Sequence, residues 1–369
     1  MIHANNKGDV ATHLNCGRKS LMRTIALSLA LLMTGAPVAL SAQTAVQATQ
    51  VLHPQPKPEA APECWMGLIG EYGTQADKAL ILEKDGSLYF RLNNVNERLA
   101  SQNADRFRMG VKEAVFTRGA NGEATLLTIA GTPYPRLPFS SVSGGVFHIT
   151  PVKPVAELTR LALAEHPPVE QGQFRKADLV EVSKLDPTIH LDIRYATTHD
   201  FLGTPLYSQA RAFMQRPAAE AVVRANRSLK AFGYGLLIHD AYRPWYVTKV
   251  FWDATPDAMK KFVADPAQGS RHNRGCAVDI TLYNLRTGKE VMMTGVYDEM
   301  SDRSYANYAG GTSLQRWRRN LLREAMEAQG FTVYEFEWWH FDYKDWQQYP
   351  ILNIRFQDIP PTTASRPQS

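Results

Sequence analysis

The stretch "CAVDITLY" (Cys276–Tyr283) constrains the fold of this chain more than any other. Its apolar and β-branched residues call for a strand, yet a carboxylate sits in the middle, where Asp is disfavoured. Period two puts Ala277, Asp279 and Thr281 on one face and Cys276, Val278, Ile280 and Leu282 on the other. The second face has to cover a core, so the Asp279 face needs surroundings that welcome a charge. Immediately upstream, "SRHNRG" (Ser270–Gly275) ends in glycine, and a turn there brings His272 back over the Asp279 face.

A second charged stretch, "EFEWWHFDY" (Glu335–Tyr343), holds Glu337 and His340 three positions apart among large aromatics. His272, Asp279 and His340 are donors that suit zinc, and three protein ligands leave a fourth position for water. Zinc lowers the pKa of such a water towards neutrality, and Glu337 is the candidate base that takes its proton. A regular strand sends Glu337 and His340 to opposite faces, so this reading requires a bulge or a strand end between them. The aromatics would wall the site against water. Singly, each residue has a plainer reading, such as a hydrogen-bonded histidine or an Asp279 paired with Arg274. Their joint presence points to chemistry.

The remaining sequence supplies the context. With 369 residues, 44% of them hydrophobic and 21% charged, the chain has room for one large domain or two ordinary ones. A net charge of +5 without a long run of like charges carries no nucleic-acid footprint. Arg18, Lys19 and Arg23 precede the apolar "TIALSLALLM", and small residues follow up to Ala42. Residues 1–42 therefore read as a cleavable signal peptide, starting at Met1 or Met22, with Cys16 in a polar context before the apolar run. The apolar core is too short to span a bilayer, so the expectation is an exported, periplasmic protein with no stable membrane anchor after cleavage. Cleavage leaves Cys64 and Cys276, for which an oxidising compartment permits a bridge; the expectation is two buried thiols.

Residues 43–62, rich in Gln, Ala and Pro, read as a flexible linker. Apolar runs around Asp85-Gly86 and Asn121-Gly122 predict hairpins, hence a small antiparallel β domain over 63–155. Beyond it, helical spacing runs from Pro217 to Gly233 and from Leu314 to Gly330, and Thr255-Pro256 precedes a third predicted helix, "DAMKKFVA". Strands are predicted at His190–Ala196, Gly235–Ala241, Ala277–Tyr283 and Phe331–Trp339. The fold class expected is α+β, with a mostly antiparallel sheet.

Ser270, His272, Gly275, Ala277 and Asp279 reproduce the S-x-H-x-x-G-x-A-x-D motif of zinc D-alanyl-D-alanine peptidases, and Glu337, Trp339 and His340 their E-x-W-H motif. The chain thus resembles the D-Ala-D-Ala dipeptidases of the vancomycin-resistance type (VanX-like), a group related to D-Ala-D-Ala carboxypeptidases and to the Hedgehog amino-terminal fold. The resemblance runs from about Ala177 to Tyr343, inside a domain read as 175–357. It implies one Zn2+ held by His272, Asp279 and His340, with Glu337 as general base. "LDIRYATTHDFLG" (Leu191–Gly203) is similar to the opening strand of the dipeptidase branch and "DAYRP" (Asp240–Pro244) to its arginine motif. That match makes Arg243 the group that stabilises the oxyanion, a role in which one fixed donor contributes roughly 2.7–4 kcal/mol.

Asp298 matches an aspartate used near the substrate amine, Ser270 a residue beside the substrate carboxylate, and Trp339 is assigned to the same substrate pocket. His199-Asp200 departs from the family's Asp-Asn, which puts pocket detail in question rather than the metal. The activity implied is zinc-dependent hydrolysis of the small dipeptide D-Ala-D-Ala to two D-alanines. Two alternatives stay open: a peptidoglycan D,D- or L,D-carboxypeptidase with the same zinc site, or a non-catalytic zinc-stabilised binding module. Glu337 and Arg243 argue against the last, because a purely structural zinc needs neither. The β domain lies outside the resemblance, and cell-wall contact is one role open to it.

Overall fold

A computed structural model describes residues 52–137, 142–143 and 145–359. The expected signal peptide and the first part of the linker lie outside the described residues. No helix among the described residues is long and apolar enough to cross a membrane.

Eight strands between Gly70 and Pro135 form an antiparallel meander in sequence order. At its tightest turns Asp85 and Gly86 both take left-handed φ, 50° and 71°, as do Asn93 and Asn94 at 49° and 63°. Two consecutive positive φ values are what a two-residue hairpin needs, and Asn, Asp and Gly tolerate them. A hairpin forms around Asn121-Gly122 as well. Tyr72 bridges Arg136 and the Leu137 amide donates to the Glu71 carbonyl, so the meander closes on itself. Leu68, Tyr72, Ile81, Phe107, Phe116 and Leu127 fill its interior as a separate core.

The second sheet has five strands in the spatial order His190–Leu191, Tyr234–Asp240, Ala277–Asn284, Glu337–Tyr343, Phe331–Tyr334. Only the first pairing is parallel, which gives the expected α+β class with a mostly antiparallel sheet. The apolar stripes of helices Arg216–Leu229 and Ser313–Glu327 join Val278, Ile280 and Leu282 in one core. Gly233 (φ 81°) and Gly330 (φ 87°) stop these helical segments by leaving the right-handed region. Every residue from Ala277 to Tyr283 is buried, so the Asp279 face is covered too, by a polar site instead of by core.

Four predicted elements differ. The strand expected over His190–Ala196 pairs only at His190–Leu191; Arg194–Ala196 turns inward as a 3-10 segment and buries Tyr195 against Phe251. The helix expected over "DAMKKFVA" is a 3-10 stretch, Asp257–Phe262, behind an unpredicted α-helix at Trp245–Ala254. Thr255 closes that earlier helix, its hydroxyl donating to the Phe251 carbonyl at 2.7 Å, and Pro256 prevents continuation. The single strand expected over Phe331–Trp339 is a hairpin that reverses at Glu335-Phe336. Finally, the expected flexible linker is docked from Leu52 onward: Trp317 Nε1 donates to the Gln55 carbonyl at 2.7 Å, and the Lys57 ammonium lies 5.1 Å from the Tyr234 ring centre.

Cys64 and Cys276 sit against separate cores. Phe147, Val155, Leu158 and Ala162 belong to the second core, where helix Val155–Ala162 packs on Trp245–Ala254.

Candidate active site

Three neighbouring strands line up their acidic and basic side chains in a row. Asp279 stands opposite His340 on one side and opposite Asp240 on the other. The second pairing depends on a register shift between Ile238 and Asp240, a bulge that re-aims the strand end. His272 enters from the 3-10 turn His272–Arg274, which ends at Gly275 with φ 69°. A Cβ on Gly275 would also meet the tip of Leu179, Cδ2, at 2.6 Å, a side chain that can shift, so the left-handed backbone is what requires glycine here. Glu337 joins from the first position of its strand, where the hairpin register shifts between Val333 and Tyr334. Of the predicted bulge or strand end, the structure has the irregularity, inside a strand that runs through both residues, and Glu337 Oε2 comes 3.6 Å from His340 Nδ1.

Three donor atoms converge. His272 Nε2 lies 3.1 Å from His340 Nδ1 and 3.3 Å from Asp279 Oδ1, and the last two are 3.1 Å apart. Ligands 2.0–2.2 Å from a tetrahedral ion stand roughly 3.3–3.6 Å from one another, so this triangle is close to one face of such a shell. Their other atoms are engaged elsewhere. His272 Nδ1 meets the Ala241 carbonyl at 2.6 Å, His340 Nε2 meets Asp342 Oδ1 at 2.9 Å, and Asp279 Oδ2 accepts from the Tyr297 hydroxyl at 2.8 Å. Each outer bond fixes a tautomer or a rotamer and turns the remaining lone pair inward, as metal sites require. The three residues, all buried, are the ones among the described residues that fit a cation.

The eight residues singled out from the sequence, Arg243, Ser270, His272, Asp279, Asp298, Glu337, Trp339 and His340, line one cavity of about 140 Å³. Burial is the main influence on Glu337 and pushes its carboxyl up to about 7; Asp279 adds to this, while His340 and Arg243 oppose it. Burial also disfavours the charge of Arg243, but Asp240, Tyr195, Tyr207 and Asp279 together outweigh it and hold the guanidinium charged; Asp240 accepts from Nε at 2.9 Å and lies 2.8 Å from Nη2. The rings of Phe251 and Tyr195 flank the guanidinium at 4.8 and 5.2 Å. Ser270 Oγ accepts from the His272 amide, so this hydroxyl supports the turn as well as facing the cavity. Trp339 stands edge-on to Tyr297 with ring centres 5.5 Å apart.

Asp298 opens a chain of contacts that leads to the donor triangle. Tyr195 hydroxyl reaches its carboxyl at 2.9 Å, the two phenol oxygens of Tyr195 and Tyr297 are 3.0 Å apart, and Tyr297 donates to Asp279. Two phenol hydrogens serve three contacts. Burial, with Asp279 adding to it, holds the Asp298 carboxyl well above its usual range, while the Tyr195 hydroxyl opposes the rise. The sequence assigned no role to Asp240 and Tyr195, which lie inside the quoted motifs, nor to Asp342 and Tyr297. Asp342 carried a signal, since it lies two positions after His340 on the same strand face; Tyr297 carried none.

Two imidazoles and a carboxylate aimed at one point, with the Glu337 carboxyl 3.6 Å from one of them in the same cavity, are the donor set of a metal-dependent hydrolase. Residues 175–360, half of the chain, match the family described as D-ala-D-ala dipeptidase (peptidase family M15), and the chain belongs to that metallopeptidase family. It is 32% identical over 179 residues to the D-alanyl-D-alanine dipeptidase of Escherichia coli (strain K12), a match covering 48% of this chain and 91% of that protein. The D-alanyl-D-alanine dipeptidase of Enterococcus faecalis is 36% identical over 193 residues, covering 47% and 95%. That of Streptomyces coelicolor is 33% identical over 186 residues, covering 46% and 92%.

Proposed function

We propose that this enzyme is an exported, zinc-dependent dipeptidase that cleaves D-Ala-D-Ala to two D-alanines. The observation that carries the reading is the donor triangle of His272, Asp279 and His340 with Glu337 3.6 Å from one corner. Zinc bound by these three residues would polarise the scissile carbonyl and acidify a water molecule. Glu337 takes the proton of the attacking water and later passes one to the leaving amine. Arg243, locked by Asp240, faces the charge that develops on the carbonyl oxygen, and needs no reorganisation to do so. Asp298 receives the substrate ammonium, while Ser270 lies beside the substrate carboxylate and Trp339 forms part of the wall.

Cavity size favours a dipeptide over a wall peptide. Sites for drug-sized ligands run to roughly 300–1,000 Å³, whereas this cavity holds about 140 Å³. A carboxypeptidase acting on a peptidoglycan stem needs an open groove. The reading includes export by a leader over 1–42 to the periplasm and a Hedgehog-like catalytic domain over 175–357; the β domain read as 63–155 is shortened at its end, because Phe147 and Val155 pack in the second core.

The test is D-alanine release from free D-Ala-D-Ala and from an N-blocked pentapeptide, before and after chelation. Cleavage of the dipeptide alone, lost on chelation and restored by zinc, is expected; cleavage of the blocked peptide alone rejects the dipeptidase assignment. Glu337→Gln should keep its metal and lose about 10²–10⁴-fold in kcat. Undiminished turnover would remove Glu337 from the mechanism.

A further inference from the structure

Loop 295–312 carries Asp298 into the cavity at one end and meets the N-terminal sheet at the other. Asp298 holds a left-handed φ of 59°, a conformation that costs a non-glycine residue energy and persists only where its surroundings fix the chain. Part of that support is local: the Glu299 carboxylate accepts from the Val296 amide at 3.1 Å and the Ser301 hydroxyl at 2.8 Å. Part comes from the catalytic hairpin, where the Ala306 amide donates to the Glu335 carbonyl at 3.0 Å, two residues before Glu337.

The remaining anchors come from the sheet. Glu83, 2% exposed, accepts from the Ser313 amide at 2.7 Å, so a carboxylate covers the N-terminus of helix Ser313–Glu327. Its backbone joins in, the amide donating to the Gly311 carbonyl at 3.1 Å and the carbonyl accepting from Arg316 at 2.6 Å. Glu71, 5% exposed, accepts from the Tyr308 hydroxyl at 2.9 Å and pairs with Lys78 at 3.1 Å. The Lys78 ammonium reaches onward to Asp302 at 2.9 Å. Acids on the rim of a self-contained sheet would face water, because burying a carboxylate without partners is costly. Here the partners of Glu71 and Glu83 include the loop and the helix that follows it. None of Glu71, Lys78 and Glu83 lies within the family match.

We propose that the N-terminal sheet is a positioning element for the substrate pocket: through Glu71, Lys78 and Glu83 it holds loop 295–312 where Asp298 meets the substrate ammonium. The inference rests on the ammonium-binding role proposed for Asp298. The three sheet residues touch no substrate and act only through the loop.

Steady-state kinetics of the full chain on D-Ala-D-Ala test this in Lys78→Met, Lys78→Arg, Glu83→Gln and Asp298→Asn. Lys78→Met and Glu83→Gln should each raise KM about fivefold with kcat within about twofold and metal content unchanged, and Lys78→Arg should restore KM. Exchange of the Val296 and Ala306 amides should quicken about tenfold in the same two variants. A merely structural role lowers Tm and leaves KM unchanged at temperatures where the variants are folded; that outcome overturns the proposal. If Glu83→Gln does not fold, Lys78→Met carries the comparison alone. Asp298→Asn separates two failures: an unchanged KM there rejects the ammonium role itself, whereas a raised KM there beside unchanged sheet variants rejects only the brace.

Discussion

His340 presents Nδ1 to the donor triangle because Asp342 holds the opposite ring nitrogen at 2.9 Å. Burial alone would raise the Asp342 carboxyl, but His340 and Arg271 keep it below its usual range, so it stays an acceptor. Asp342→Ala should therefore weaken metal affinity about 10–100-fold in a chelator competition, with the fold intact; unaltered affinity would show that the ring needs no such partner. Asp200 shows burial with incomplete compensation. One oxygen accepts from the Leu202 amide at 2.7 Å, the other has no partner, and burial raises the carboxyl to about 6. Its folded pKa lies above the ordinary 3.8, so the folded state binds the proton more tightly and stability falls as pH rises through that interval. Asp200→Asn should add up to about 3 kcal/mol at pH 8 and only about 0.5 kcal/mol at pH 4. Denaturant unfolding at the two pH values checks this, and an equal gain at both would remove the titration as its cause.

At the scale of elements, the site depends on two short irregularities. The turn ending at Gly275 aims His272, and the shifted start of the hairpin strand aims Glu337. Gly275→Ala forces a side chain into a left-handed φ and makes Leu179 shift, and should cost about 1–2 kcal/mol. Thermal unfolding together with metal content would expose an unperturbed variant, which would mean that the turn can relax without loss. The turn was legible because glycine and the strand after it announce themselves locally. The helix Trp245–Ala254 was not: seven of its ten residues are buried, so the polar face of "WYVTKVFWDA" is reduced to Lys249 and Asp253 and its period is weak. The hairpin at Phe331–Tyr343 was missed for a related reason. Its aromatics run through the reversal without a Gly, Pro or Asn to mark it.

Across the whole molecule, two closed cores meet along loop 295–312, and that meeting could not be inferred from either part. By itself the sequence determined the residue types at the site, the strand faces on which they stand, and the irregularity Glu337 requires, because period-two alternation and turn chemistry act over a few positions. The family motif extended that reading to Arg243, Asp298, Ser270 and Trp339, and all of them line the same cavity. Only the tertiary structure decided that Asp240, Asp279 and His340 form one row, that Tyr195 and Tyr297 join Asp298 to Asp279, and that Glu71 and Glu83 turn inward. Those contacts join residues far apart in the chain, and strand register, loop path and burial, which no local pattern encodes, set which of many acids and phenols come within 3 Å.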